Sequence, residues 1–175
     1  TKYGVATEKT LTGFKFIADT ILNNPEMTFI GGGEESYGFL IGDFVRDKDA
    51  NSACFMIAEI TAWAAEQNKT LYQILKEIYK EFGFYKEGLL SLTKKGISGS
   101  EEIKNMMYRF RNDTPKEILG SKIVEIKDYK TSICKDVNSG LETIINLPKS
   151  DVLQFFTEDG TKISIRPSGT EPKIK

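Results

Sequence analysis

The periodicity of the apolar residues changes at about Gly83, and this change most constrains what the chain can fold into. Before Gly83, apolar side chains recur at the spacing of helices, around one short apolar run. After it, one helical segment is followed by segments in which apolar and polar side chains alternate. We therefore predict an α/β part over residues 1–85 and an α+β part over residues 86–175.

The α/β part is predicted to contain three helices and one strand. Thr12 is a possible cap of the first helix, Asp49 or Asn51 of the second, and Thr70 of the third. Gly83 is placed to end the third helix. The second helix is strongly apolar, so we interpret its Cys54 as a core residue. The predicted strand carries Met27, Phe29 and Ile30, and glycines 31–33 are expected to end it.

The α+β part begins with a predicted strand over residues 83–96. A capping box of Ser98 and Glu101 is expected to open the next helix. The apolar face of that helix is predicted to consist of Ile103, Met106, Met107 and Phe110. An alternating strand over residues 121–132 and a hairpin over residues 151–166, with its turn at Asp159-Gly160, follow.

Composition excludes several classes of function. The chain has 175 residues, 39% of them hydrophobic, and a net charge of −1, whereas nucleic-acid binders normally show a basic excess. No apolar run approaches the ~20 residues of a membrane-spanning helix, and no histidine is present for a triad or a metal site. The two cysteines lack metal-like spacing. We therefore expect neither a nucleic-acid nor a membrane partner, and a reducing, cytoplasmic setting.

The closing segment concentrates cations and hydroxyl groups around a glycine. Arg166 emerges on the polar face at the end of a strand, and Lys173 follows. Ser168 and Thr170 offer hydroxyl donors, while Gly169 lets backbone N–H groups approach a ligand. This pattern indicates an anion-binding loop. A polar turn between two strands is the alternative, and Glu171 favours it unless its side chain turns away.

An earlier glycine-rich loop carries carboxylates instead. Gly33 and Gly38 have the spacing of a phosphate loop, but the lysine and hydroxyl that should follow are absent, and Glu34 and Glu35 would repel phosphate. Carboxylates accept strong hydrogen bonds from sugar hydroxyls, and Ser36 can donate or accept beside them. The alternative is a flexible turn with solvated acids.

Lys48 stands among acidic residues in the segment "GDFVRDKDAN". It either faces the same cleft as the glutamates or belongs to a solvated loop. The aspartates of this segment have no coherent metal spacing, so we predict no metal site in the chain.

Three segments in order, "TLTGFKFI", "GGGEESYGFLIGDFVRDKDA" and "IRPSGTEPKIK", resemble the phosphoglucomutase/phosphomannomutase family of α-D-phosphohexomutases. The resemblance implies four domains around a cleft, and isomerisation of hexose 1-phosphates and 6-phosphates through a bisphosphate. It identifies residues 1–85 as part of the third domain. Residues 86–175 correspond to most of the fourth, an antiparallel sheet packed against helices in a TATA-binding-protein-like fold, which we expect to be truncated at its C-terminus.

The resemblance also implies roles for individual residues. Glu34 and Ser36 would hold sugar hydroxyls, and Thr12 and Gly13 would help to orient the sugar. Lys48 would bind substrate, with a proton-transfer role as an alternative. The phosphate of the substrate would be held by the closing loop, which consists of Arg166, Ser168, Gly169, Thr170 and Lys173.

Two motifs of the family have no counterpart in this chain. Neither the phosphoserine loop nor the magnesium loop, both expected in the first two domains, occurs. We therefore expect an inactive C-terminal fragment whose parent uses Mg²⁺ and a hexose 1,6-bisphosphate activator, and whose partners are a hexose phosphate and the missing N-terminal domains. A non-catalytic sugar-phosphate binding module is the alternative, and a protein-interaction domain is a third.

Overall fold

The computed structural model describes residues 3–34, 37–94, 96–169 and 171–175, and for Ile97 only the backbone. The chain divides into two compact units, Thr1–Glu87 and Gly88–Lys175. Within the described ranges, no helix combines the length and the apolar character needed to cross a bilayer. The predicted division near residue 85, and the assignment of the second part to a fourth domain, remain predictions.

The first unit consists of three helices and a two-stranded antiparallel hairpin. Its helices are α1 (Phe14–Asn23), α2 (Ala50–Glu66) and α3 (Leu71–Phe82), and its strands are β1 (Gly31–Gly33) and β2 (Phe39–Ile41). The strand predicted over Met27, Phe29 and Ile30 is therefore wrong, because the three glycines expected to end it form the strand. A Cβ on Gly32 would lie 3.2 Å from the Ile17 side chain, so glycine lets this strand lie close to α1.

The helix caps of the first unit match the predictions except at α1. Asp49 accepts hydrogen bonds from the backbone N–H groups of Asn51 and Ser52 at the start of α2. Thr70 caps α3 in a capping box, and Gly83 ends α3 at a φ of 103°. The predicted Thr12 cap is wrong: Gly13 occupies the cap position, with no side-chain cap.

Several apolar side chains of α2 and α3 are exposed. Cys54 is exposed, so its interpretation as a core residue is wrong. No residue of α3 is buried, and its apolar residues Leu71, Leu75, Ile78 and Phe82 are 38 to 47% exposed. Helical periodicity specifies which side chains share a face, but not which element covers that face.

The second unit is an antiparallel sheet with one helix. Strand β3 (Leu92–Thr93) and helix α4 (Gly96–Asn112) come first, followed by β4 (Glu117–Ile118), β5 (Ser121–Asp128), β6 (Ile133–Asp136), β7 (Glu142–Ile144), β8 (Leu153–Thr157), β9 (Lys162–Ile165) and β10 (Lys173–Ile174). The main sheet has the order β7-β6-β5-β8-β9, with β4 added on β5, while β10 pairs with β3. All of these pairings are antiparallel.

The start of the second unit corrects two predictions. The strand predicted over residues 83–96 is limited to the two residues of β3, because only these pair with another strand, β10. The capping box of Ser98 and Glu101 is wrong because α4 already begins at Gly96. A Cβ on Gly99, which is buried, would lie 2.5 Å from the carbonyl oxygen of Lys94, so the chain needs glycine for this close approach.

The core of the second unit lies between α4 and the sheet. Its buried members are Ile103, Met107, Ile123, Leu153, Phe155 and Ile174, and Met106 and Phe110 pack against them. The predicted apolar face of α4 is therefore confirmed, as are the strand β5 and the hairpin β8–β9 with its turn at Asp159-Gly160. Because Ile174 belongs to this core, its side chain anchors the last strand, β10, to the rest of the second unit.

Candidate functional site

The hairpin β1–β2 carries the acidic loop, of which the structure describes Glu34, Tyr37 and Gly38, next to the start of α1. Within the loop, the Glu34 N–H donates to the Gly38 carbonyl at 3.0 Å, and the Tyr37 N–H donates to the Glu34 carbonyl at 3.2 Å. The Glu34 side chain turns toward the helix, where its Oε2 accepts the Gly13 N–H at 3.1 Å. A carboxylate at this position satisfies an N–H group that the helix leaves free and complements the positive end of the helix dipole.

Phe14 forms the floor beneath this loop. Its side chain is only 5% exposed. A Cβ on Gly38 would overlap the Phe14 ring and would lie 3.1 Å from Cγ of Glu34. Glycine at position 38 therefore allows the loop backbone to lie directly on the aromatic ring, with the glutamate side chain beside it.

The ammonium group of Lys48 lies over the same ring. Its Nζ is 5.6 Å from the centroid of Phe14, within the range of a cation–π interaction, and 3.2 Å from Oδ1 of Asp47. The pKa of Asp47 is lowered by hydrogen bonds from the backbone and the side chain of Lys48. The Asp49 N–H donates to the Phe39 carbonyl at 3.2 Å, so the segment that carries Lys48 is tied to β2.

Three predicted substrate-binding residues of the first unit thus surround one aromatic ring. Gly13, Glu34 and Lys48 lie around Phe14, and Thr12, which is exposed, precedes Gly13 in the chain. Ser36 lies outside the described residues. Phe14 was not predicted as a site residue, because its spacing from Ile17 and Ile21 is that of an ordinary apolar helix face. Its place directly after Thr12-Gly13 was the available signal.

The closing loop is built mainly from backbone hydrogen bonds. Arg166 and Lys175 exchange two backbone hydrogen bonds of 3.0 Å each, and the Ser168 N–H donates to the Lys173 carbonyl at 2.7 Å. The neighbouring Ile174 is buried, and its strand β10 pairs with β3. The hydrogen bonds from Arg166 to Lys175 and from Ser168 to Lys173 place these residues in one hairpin.

The side chains of this loop already include one ion pair. Lys173 Nζ lies 2.9 Å from Oε2 of Glu171, and this contact lowers the pKa of Glu171. The Glu171 N–H also donates to Oγ of Ser168 at 3.3 Å. An anion bound by Lys173 would therefore either share the ammonium group with Glu171 or displace the Glu171 carboxylate from it.

Gly169 has open space where a side chain would project. A Cβ placed there would meet no atom within 4 Å, and the φ of Gly169 does not lie in the left-handed region. The fold of the unit therefore does not itself require glycine here, in contrast to position 38. Thr170 lies outside the described residues.

Neither loop forms a metal centre in the described part of the chain. Across those residues, no group of three or more histidine, cysteine, aspartate or glutamate side chains is arranged to hold a metal ion. The acidic loop offers carboxylate and backbone groups to a polar, uncharged ligand, and the closing loop offers cations and N–H groups to an anion.

The chain is similar to members of one family of known proteins. The family model for the phosphoglucomutase/phosphomannomutase alpha/beta/alpha domain III matches residues 1–82. A phosphoglucomutase of Staphylococcus epidermidis is 40% identical over 174 residues, which are 99% of this chain and 32% of that protein. One from Staphylococcus aureus is 41% identical over 169 residues, 96% of this chain and 30% of that protein.

A solved structure shares the fold. The open form of pp63/parafusin, a phosphoglucomutase from Paramecium, matches with a TM-score of 0.60 and 22% identity over 99% of this chain and 29% of its own. The predicted α/β fold class is thereby confirmed. This chain spans about a third of the length of the curated relatives it matches. The chain thus matches domain III of the phosphoglucomutase/phosphomannomutase family over residues 1–82 and is similar to phosphoglucomutases over nearly its whole length.

Proposed function

We propose that this chain is the substrate-binding, C-terminal portion of a phosphohexomutase that interconverts hexose 1-phosphates and hexose 6-phosphates through a bisphosphate. The observation that carries the proposal is the chemical contrast between the two loops, in a chain 40% identical to a phosphoglucomutase. A mutase must hold a sugar and a phosphate, and the two groups need opposite chemistry from the protein.

The acidic loop is proposed to bind the hydroxyl groups of the hexose. Glu34 would accept hydrogen bonds from hydroxyls, and its present partner, the Gly13 N–H, orients the carboxylate in the absence of sugar. Ser36, Thr12 and Lys48 would add polar contacts around the same carboxylate.

The closing loop is proposed to bind the phosphate that does not react. Arg166 can contact two phosphate oxygens at once, and Lys173 adds a point charge. Ser168, Gly169 and Thr170 would contribute hydroxyl and backbone donors, and the open space beside Gly169 supports a close approach of phosphate to the backbone.

The reacting groups are proposed to come from other domains of the same protein. The phosphoserine that donates the phosphoryl group, the Mg²⁺ ion and the hexose 1,6-bisphosphate activator would all act there, since the chain carries neither of the corresponding motifs. A cytoplasmic location is part of the proposal, and the two free thiols, Cys54 and Cys134, support it.

The test is an assay of the full-length protein and of the 175-residue chain with glucose 1-phosphate, Mg²⁺ and glucose 1,6-bisphosphate. We expect turnover from the full-length protein and none from the chain alone. Turnover by the isolated chain would contradict the fragment interpretation. A full-length protein that binds glucose 1-phosphate without turnover would favour a non-catalytic binding module.

A further inference from the structure

We infer that Phe14 is a positioning residue, which holds the ammonium group of Lys48 beside the acidic loop through the face of its aromatic ring. The inference rests on the proposed function, in which Lys48 contacts the substrate. It adds a residue whose helical spacing otherwise assigns it only to the core.

The Lys48 side chain is held from two directions. Its side chain is 59% exposed, so packing alone does not restrict it. Two attractions act on the ammonium: the Phe14 ring, 5.6 Å away at its centroid, and Asp47, 3.2 Å away and itself mostly exposed. An exposed ion pair is weak, and a long side chain held by one such pair samples many rotamers. A second attraction from a different direction narrows that range.

The Phe14 ring is itself tightly packed. Phe14 is almost fully buried, and the backbone of Gly38 lies so close that a Cβ there would overlap the ring. The ring therefore cannot shift without moving the acidic loop. A cation held by this ring is held at a defined place relative to Glu34, whose side chain lies against the same glycine.

Phe14 also links groups from three segments of the chain. Gly13 precedes Phe14, Gly38 lies on its ring, and Lys48 lies over its ring. Removing the ring would leave every proposed ligand-binding side chain in place in the sequence. The segments that carry Gly38 and Lys48 would, however, lose a contact that fixes their positions. This is the behaviour of a positioning residue rather than of one that touches substrate.

The experiment is a double-mutant cycle in the full-length protein, with kcat/KM for glucose 1-phosphate as the readout. Phe14→Leu is expected to lower kcat/KM about two- to fivefold, the size of a cation–π contact at a partly exposed site. In a Lys48→Met background the same substitution should cost less than in the wild type, because only its effect through the acidic loop remains. An equal loss in both backgrounds would show a purely structural role and overturn the inference.

Tyr72→Leu provides a matched control. Lys76 lies over the Tyr72 ring at 5.7 Å, nearly the same distance, but both residues belong to α3 and not to the segments around Phe14. This variant should keep the kcat/KM of the wild type. A loss equal to that of Phe14→Leu would overturn the inference, because it would show that removal of any lysine-bound ring has this effect.

Fluorinated phenylalanines at position 14 keep the shape of the ring while weakening its negative face. KM should rise stepwise with one, two and three fluorines, and a flat series in an active enzyme would overturn the inference. This series replaces Phe14→Leu if that variant does not fold.

NMR adds a readout independent of turnover: the ε protons of Lys48 should show an upfield ring-current shift, and absence of the shift would also overturn the inference. An inactive wild type that keeps the shift would instead refute the proposed function.

Discussion

The acidic loop of the first unit and the closing loop of the second are held by different means. Side chains organise the acidic loop: the Glu34 carboxylate binds the Gly13 N–H, and Lys48 lies over Phe14. In the closing loop, paired backbone hydrogen bonds join Arg166 to Lys175, and the Lys173 side chain binds that of Glu171. Its last strand is anchored in the core through Ile174.

This difference determines how each loop should respond to substitution. In the first unit, a change of one side chain is expected to move several groups, because Phe14 touches the loop backbone and Lys48 at once. In the second unit, a change of one side chain on the loop removes its charge but leaves the backbone pairing intact. The backbone pairing depends instead on the core beneath it.

The largest expected effect tests this dependence on the core. Phe155 is fully buried in the cluster that contains Ile174. Phe155→Ala should lower the free energy of unfolding of the second unit by about 3–5 kcal/mol, the cost of a large cavity. Urea denaturation measures the change. Ile144→Ala, at a side chain 87% exposed, is the control and should change stability by less than about 0.5 kcal/mol. A loss of under about 1 kcal/mol at Phe155 would contradict the account of the core.

The next effect separates the ligands of the two loops. Arg166→Ala in the full-length protein should raise the inhibition constant for inorganic phosphate about ten- to a hundredfold, because a charged, bidentate contact is lost. Glu34→Ala should impair the use of glucose 1-phosphate but leave phosphate inhibition unchanged. Arg109→Ala, in the last turn of α4, is the matched arginine control. If Glu34→Ala weakened inhibition by phosphate as much as Arg166→Ala does, the proposed difference between the ligands of the two loops would be wrong.

A smaller effect compares one glycine from each loop. Gly38→Ala should destabilise the first unit by about 1–3 kcal/mol, because the new methyl group overlaps the buried Phe14 ring. Gly169→Ala should leave stability within about 0.5 kcal/mol, since a Cβ there meets no atom within 4 Å. Thermal unfolding of each variant measures both. Equal destabilisation at the two positions would contradict the different construction of the loops.

The smallest effect concerns the turn of the hairpin that leads to Arg166. The Thr157 hydroxyl, with a smaller contribution from the Thr161 N–H, lowers the pKa of Asp159 from 3.8 to about 2. Because the folded-state pKa is depressed, this contribution to stability is complete above pH 3.8 and is lost as the pH falls toward 2. Stability measured against pH should therefore fall less steeply in Asp159→Asn than in the wild type over this window. Identical slopes would contradict the assignment.

Local chemistry was readable in the sequence wherever one short segment determines its own structure. Asp49 and Thr70 cap the helices they were predicted to cap, and Gly83 ends α3. The turn at Asp159-Gly160 and the apolar face of α4 also follow from neighbouring residues alone. A cap or a turn needs only a few consecutive groups, so its pattern is complete in the sequence.

Contacts between distant segments were decided only in three dimensions. The glycines of β1 form a strand because α1 and β2 come close to them, and α4 begins early, next to Lys94. Phe14 belongs to the candidate site because Gly38 and Lys48 meet at its ring, although its spacing is that of an ordinary core residue. Sequence periodicity records which side of an element avoids water, whereas the identity of the group that covers that side depends on the path of the whole chain.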